Sequence, residues 1–311
     1  MRTCVVGAGS IGSLFAAHLA TVTDVVVLTR RAEHACALNA EGLRVSGSHD
    51  FTARVTAAAD ARDLPEFDLG IIATKAGGVE HAAETLSGHF SGATIMTVQN
   101  GLGAEEIVQA HGDWPLVSAV TFMSGTKHSD THVEYILDTP TWLGPYGATP
   151  FERVQEIARL LVDSGLKAEA LPDLLPAQWS KLIFNATVNG VAALTGLRHD
   201  EHFAAENDPG DLGHLVHDLV DEGKRVAAAA GVELHDDPWE MNVLATRRGS
   251  AHYPSMLEDV EAERPTEVEL INGSLVREAE RAGVDVPLHE ALYALVRGKE
   301  SSYFARAAVP A

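Results

Sequence analysis

A lysine and two asparagines recur at four-residue intervals in Trp179-Ser180-Lys181-Leu182-Ile183-Phe184-Asn185-Ala186-Thr187-Val188-Asn189. On a helix this spacing sets Lys181, Asn185 and Asn189 on one face. Apolar residues fill much of the remainder, so the helix is expected to be substantially buried. A buried ammonium then needs partners, because an unpaired charge away from water is costly. A surface helix with one polar face would show the same spacing. A second stretch runs from Ser255-Met256-Leu257-Glu258-Asp259-Val260 to Arg264-Pro265-Thr266-Glu267-Val268-Glu269. Thr266 could cap a helix starting near Glu267, and a carboxylate there favours the helix amino terminus. Spacing does not choose between that capping role and catalysis. Lys75, in Ala73-Thr74-Lys75, and Asn100, in Gln99-Asn100-Gly101, each follow an apolar run. In an open parallel sheet, ligands gather beyond the carboxyl ends of strands, where both would stand. Asn100-Gly101 also suits a simple turn, since both residues tolerate positive φ.

The amino terminus carries Gly7-Ala8-Gly9-Ser10-Ile11-Gly12, a G-x-G-x-x-G loop between an apolar run and a helical pattern. The first glycine allows a tight turn, the second lets backbone amides approach a pyrophosphate, and the third lets helix and strand pack closely. The helix amino terminus then faces the phosphates. The end of the next strand selects between the two nicotinamide dinucleotides. A carboxylate there accepts from the ribose 2′-hydroxyl, whereas a cation pairs with a 2′-phosphate. This chain reads Leu28-Thr29-Arg30-Arg31, with no carboxylate before Glu33. Arg30 could make a two-pronged phosphate contact, with a hydroxyl contact from Thr29. NADP(H) is therefore the expected cofactor. Two solvated arginines on a surface loop are the bland alternative.

The positioning elements follow from apolar periodicity. Thr3–Val6 and Val25–Leu28 read as strands flanking a helix over Ile11–Ala20. Leu69–Ala73, Thr94–Val98 and Leu116–Val120 read as further buried strands, separated by helices over Val79–Leu86 and Ala104–Ala110. The segment Val133–Leu143 suggests antiparallel edge strands. A helix over Phe151–Asp163 and a short strand near Lys167–Leu171 complete the pattern. Such alternation predicts a mostly parallel sheet covered on both faces. At Pro172 and Pro176 the pattern becomes almost wholly helical, with long candidates over Ala177–Leu194, Leu212–Ala230 and Thr266–Ala282. Gly231 and Gly283 sit where left-handed caps are expected. The expected fold class is α/β: an amino-terminal Rossmann domain over 1–171, then an all-helical carboxyl-terminal domain over 172–311.

The chain has 311 residues, with 23 Lys plus Arg against 44 Asp plus Glu, a net charge of −21. That balance argues against nucleic acid or an anionic membrane as partner, since both need clustered positive charge. No apolar run approaches the roughly 18 residues of a membrane span, and no charged-then-apolar leader precedes the first strand. A cytoplasmic location is expected. Cys4 and Cys36 are the only cysteines, too few and too scattered for a disulfide framework or metal site, and are expected to be packed, reduced thiols. Among the fifteen histidines, which include His128, His132, His214, His217 and His252, none has a convincing metal spacing. No metal is expected.

Taken together, the Gly7–Gly12 loop with Arg30, Thr74-Lys75-Ala76, Gln99-Asn100-Gly101, Trp179-Ser180-Lys181-Leu182 with Asn185, and Ser255-Met256-Leu257 through Arg264-Pro265-Thr266-Glu267 resemble the ketopantoate reductase family over nearly the full length. Ile271-Asn272-Gly273, Gly283-Val284 and Val286-Pro287 extend the resemblance. It implies a Rossmann domain, a helical domain, and an active site in the cleft between them. It also implies NADPH-dependent reduction of a small-molecule 2-oxo acid, 2-dehydropantoate, to (R)-pantoate on the way to pantothenate and coenzyme A. In that scheme Lys181 is the general acid, and Glu267 holds the lysine or the substrate hydroxyl. Asn100, Asn185 and Asn189 position substrate, Ser255 helps bind its carboxylate, and Lys75 lines the cofactor side. Asn100 and Glu267 also count among the cofactor-binding residues, with the glycine loop and Arg30. Hydride addition to a ketone builds negative charge on oxygen, which a nearby ammonium stabilises and neutralises. Other branched or aromatic 2-oxo acids, D-2-hydroxyacid dehydrogenation, and a non-catalytic NADPH sensor are the competing functions. Arg30 speaks against the NAD-dependent dehydrogenases, and Lys181 with Glu267 against a sensor. A homodimer is suggested by the resemblance alone. The sequence departs from the family pattern at Gly77-Gly78, Gly190 and Pro254.

Overall fold

Short β-branched and aliphatic runs build the first part of the chain. In the computed structural model the strands are β1 (Thr3–Val6), β2 (Val25–Leu28), β3 (Leu43–Gly47), β4 (Phe51–Ala53), β5 (Thr56–Ala58), β6 (Leu69–Ile72), β7 (Thr94–Thr97), β8 (Leu116–Thr121), β9 (Ser124–Ser129), β10 (His132–Leu137), β11 (Thr141–Tyr146) and β12 (Ala168–Ala170). Between them lie helices α1 (Ser10–Leu19), α2 (Ala32–Glu41), α3 (Val79–Leu86), α4 (Ala104–Gln109) and α5 (Phe151–Asp163). The structure describes residues 1–88, 90, 92–204, 210–247 and 253–307. His252 lies outside them. By contact density the chain divides into two compact units, Met1–Gln99 with Ala104–Leu174, and Asn100–Gly103 with Leu175–Ala311.

The main sheet of the first unit has the order β12-β11-β8-β7-β6-β1-β2-β5. From β5 to β8 its strands are parallel, with Thr3 opposite both Val25 and Leu69. Strands β1, β2, β6, β7 and β8 are buried at every position, as sheets covered on both faces require. The antiparallel edge expected over Val133–Leu143 divides between two sheets. Strand β11 pairs antiparallel with β8. Strand β10 instead joins a four-stranded sheet, β4-β3-β10-β9, pairing parallel to β3 and antiparallel to β9.

That second sheet covers α1. The helix contacts β1 and β2 on one side and β3, β9 and β10 on the other, and every residue from Gly12 to Leu19 is buried. A helix apolar all round is one without a solvent face. Its one titratable buried side chain, His18, is held by the Leu14 carbonyl (2.8 Å) and the His49 ring (2.7 Å). Cys4 is buried as expected, but Cys36 is exposed on the outer face of α2.

The second unit is helical: α6 (Leu175–Thr195), α7 (Asp211–Ala229), α8 (Pro238–Arg247), α9 (Ser255–Glu261), α10 (Ser274–Ala282) and α11 (Pro287–Ala307). Helix α6 is its axis, with Trp179, Leu182, Ile183, Ala186 and Ala193 in a core shared with α7, α9, α10 and α11. Gly223 of α7 lets Ile183 approach within 2.6 Å of where a Cβ would stand. Gly231 (φ 73°) and Gly283 (φ 65°) are left-handed, as helix-terminating glycines are. The segment expected as one helix over Thr266–Ala282 is not one. A π-turn over Glu269–Gly273 precedes α10; the Thr266 hydroxyl accepts from the Val268 amide at 3.1 Å, and the Thr266 amide donates to Glu300 Oε1 at 2.6 Å. The wide turn leaves the Leu270 carbonyl to accept from the Leu102 amide (3.0 Å) and the Ser274 hydroxyl (2.6 Å). Among the described residues no helix is long and apolar enough to cross a membrane.

Candidate active site

The first unit supplies a cradle for an anionic ligand. Gly7 has φ 99°, and a Cβ there would meet Thr74 at 2.9 Å. A Cβ on Gly12 would lie 1.9 Å from the Gly7 carbonyl oxygen, so α1 can start this close to β1 only with glycine. A Cβ on Gly9 meets nothing within 4 Å, so the space over the middle of the loop is free of protein. Ser10, Ile11 and Gly12 are the first residues of α1, whose amides lack intrahelical acceptors, and no acidic side chain competes in that turn. The cradle thus fits a pyrophosphate.

The two arginines after β2 have different fates. Arg31 is spent on Asp130 in a forked pair at 2.6 and 2.7 Å. Arg30 is exposed and makes no hydrogen bond or ion pair with another described residue. The Thr29 hydroxyl is buried and donates to the Arg31 carbonyl at 2.9 Å, so it shapes the loop and does not face a ligand as expected. Lys75 is exposed after β6, at the start of a short 3-10 turn over Ala76–Gly78. Gln99, a residue whose role sequence reasoning missed, donates to the Ile72 (2.8 Å) and Thr74 (2.9 Å) carbonyls. It thereby fixes the backbone that carries Lys75. Its two amide hydrogens suit this role, but nothing in the spacing distinguishes it from its neighbours.

The second unit gathers the proton-handling groups. Lys181 and Glu267 are both 8% exposed. Burial moves the Lys181 ammonium down to about 8, and the Glu267 carboxylate only partly opposes this. The Asn100 amide donates to Glu267 Oε2 at 3.0 Å, and the Asn185 amide donates to Asn100 Oδ1 at 3.3 Å. A relay of fixed orientation results: Asn185 to Asn100 to Glu267, with Lys181 one helical turn from Asn185 on α6. At Asn100-Gly101 the turn reading holds, since Gly101 is a positive-φ turn residue (95°), and the Asn100 side chain beside it bonds Glu267.

A Cβ on Gly101 would stand 1.7 Å from the Leu270 carbonyl oxygen, and Leu102 donates to the same oxygen. The π-turn therefore anchors Asn100 against the segment carrying Glu267. Asn189, 5% exposed, and the Ser255 hydroxyl, at the start of α9, make no side-chain hydrogen bond to another described residue. Both remain open to a ligand's polar atoms. Gly190 is explained by packing, since a Cβ there would meet Leu292 at 2.8 Å.

Residues 3–148 match the family described as ketopantoate reductase PanE/ApbA, and residues 173–300 match its C-terminal region. A relative from Archaeoglobus fulgidus named 2-dehydropantoate 2-reductase is 31% identical over 300 residues, covering 96% of this chain and 98% of that one. The chain belongs to the ketopantoate reductase family. That makes it a member of an oxidoreductase family acting on CH–OH groups. A second relative of the same name, from Pyrococcus horikoshii, is 28% identical over 97% of this chain and 98% of its own. Among solved structures, the 2-dehydropantoate 2-reductase of Methylococcus capsulatus aligns with a TM-score of 0.83 at 27% identity, covering 97% of this chain and 98% of its own. D-mandelate dehydrogenase, solved with NADH and anilino(oxo)acetate, aligns with a TM-score of 0.86 at 24% identity, covering 97% and 99%. That likeness is one of fold. The ketopantoate reductase fold thus accounts for both the α/β first unit and the helical second.

Proposed function

We propose that this ketopantoate reductase family member reduces 2-dehydropantoate to (R)-pantoate with NADPH, in the cytoplasm, as a step toward pantothenate. The observation that carries the reading is the buried Lys181, brought to about 8 and opposed by Glu267, with Asn100 and Asn185 fixing that carboxylate. The nicotinamide, when bound, supplies the hydride that the ketone carbon takes up. The carbonyl electron pair moves onto oxygen, and Lys181 Nζ delivers a proton there, leaving a neutral amine and an alcohol. Glu267 stabilises the ammonium before transfer and helps draw a replacement proton afterwards. Asn189 and the Ser255 hydroxyl hydrogen-bond the substrate's carboxylate and hydroxyl.

NADPH is favoured over NADH by Arg30, a cation without a protein partner among the described residues, beside an arginine that has one. Losing a charge-assisted contact of this kind costs about 1.5–3 kcal/mol. Arg30→Ala is therefore expected to raise the Kd for NADPH about 10–100-fold and to leave NADH within about twofold. A wild-type preference for NADPH that survives in the variant would remove Arg30 from the assignment. For the substrate, NADPH oxidation is measured against 2-dehydropantoate beside other branched and aromatic 2-oxo acids. The highest kcat/KM is expected with 2-dehydropantoate. A clear preference for another acid changes the substrate but not the chemistry, and tight NADPH binding without turnover of any acid sinks the reading.

A further inference from the structure

In a chain of net charge −21, Arg31, His34 and Lys127 gather around the single carboxylate of Asp130. Lys127 comes from β9, in the second sheet. Its ammonium donates to the Ala8 carbonyl in the glycine loop at 2.8 Å and lies 3.5 Å from Asp130 Oδ1. His34 Nε2 stands 2.9 Å from the Asp130 carbonyl oxygen, which can only accept, so that nitrogen carries a hydrogen. The 3.3 Å contact between Lys127 Nζ and His34 Nε2 is then donor against donor. An ammonium has three N–H groups, and two acceptors face it here, Ala8 and a carboxylate already forked by Arg31. With 24% of its side chain exposed, Lys127 keeps a donor and a charge within reach of a ligand.

Its place decides which ligand group. A pyrophosphate is met by the amides of Ser10–Gly12 at the start of α1. Lys127 instead touches the loop before that helix, and its Asp130 tether binds the residue that follows Arg30. This is the side of the loop on which the adenosine ribose lies, because the end of β2 is where its 2′ position is read. We propose that Lys127 is a second cofactor-specificity residue, supplying with Arg30 a cationic clamp for the 2′-phosphate of the adenosine ribose. The inference rests on the NADPH reading above.

Isothermal titration of the full chain separates the two. The ligands are NADPH, NADH, 2′,5′-ADP and 5′-AMP, against wild type, Lys127→Met and Lys127→Arg. Wild type is expected to bind each 2′-phosphorylated ligand more tightly than its counterpart; equal binding overturns the NADPH reading and the clamp with it. Given that preference, Lys127→Met should weaken NADPH and 2′,5′-ADP about tenfold and NADH and 5′-AMP by less than twofold, with Lys127→Arg recovering most of the loss. Equal weakening of all four ligands makes Lys127 a brace for the Ala8 loop and overturns the clamp while leaving the NADPH reading intact. Unchanged binding of all four does the same.

Discussion

Replacing Lys181 by alanine is expected to lower kcat for 2-oxo acid reduction about 10²–10⁴-fold, the usual contribution of a positioned general acid. NADPH affinity should change little, because Lys181 is assigned to the substrate carbonyl oxygen, and the glycine loop and Arg30 to the cofactor. The pH profile is the more specific readout. A lysine at about 8 is protonated below that value and loses its proton above it. Reduction should therefore hold up to about pH 8 and fall with each further unit, and alcohol oxidation should show the opposite dependence. Lys181→Ala should abolish the inflection along with the rate. An unchanged rate or an unchanged inflection in the variant would remove Lys181 as the acid.

The same burial has a stability sign. The folded pKa lies below the ordinary 10.5, so between about 8 and 10.5 the unfolded chain binds more protons and stability rises with pH. At neutral pH, holding the ammonium inside costs about 3 kcal/mol. Removing Lys181 alone leaves buried Glu267 without the ammonium's charge, so the pair Lys181→Met with Glu267→Gln is the clean comparison. It is expected to melt higher than wild type while being inactive, as buried ion pairs replaced by apolar groups often do. A lower melting temperature would count against this account of the pair.

The second large effect is expected at Gly101, a residue with no side chain to contribute. Alanine there needs φ near 95° and puts a Cβ 1.7 Å from the Leu270 carbonyl oxygen. That carbonyl belongs to a π-turn and is fixed by Leu102 and Ser274, so it cannot yield cheaply. Gly101→Ala should cost about 1–3 kcal/mol in stability. It should also shift Asn100 off Glu267, and displacements of about 1 Å at a catalytic group cost about 100-fold in rate. Because the displaced group acts through Glu267, the inflection near pH 8 should move as well. A variant with wild-type kcat/KM and pH profile would show that the Asn100–Glu267 bond does not matter.

How much of this was legible beforehand depended on whether the signal was local. Strands β1 and β2 and helices α3 and α5 begin and end where their apolar periodicity does, because one face or both meet a core. The stripe of Lys181, Asn185 and Asn189 was readable from its fourfold spacing, although its burial depended on helices that pack from distant sequence. Glu267 could be read as a cap or a catalyst until Asn100, 167 positions away, was seen to bond it. The break in Thr266–Ala282 was hidden because residues on either side of the π-turn keep helical composition; what differs is the acceptor demand on one carbonyl. Strands β3, β4 and β9 were the largest omission, and β10 was expected only as part of an antiparallel edge. Their alternation of half-buried positions is weak, and they pack on α1, a helix well before β3 in the chain and farther still before β9. Lys127 and Asp130 were unreadable for the same reason.

Enclosing α1 between two sheets bears on how the phosphates are met. Its amides from Ser13 to Leu19 are bonded within the helix and have no route to exchange short of opening one sheet or the other, so they should be among the last in the first unit to take up deuterium, with or without cofactor. A helix end that does not fray is already in its bound geometry. Little ordering entropy is then lost when an anion arrives, and the affinity contributed by the Gly7–Gly12 turn is available in full to the ligand.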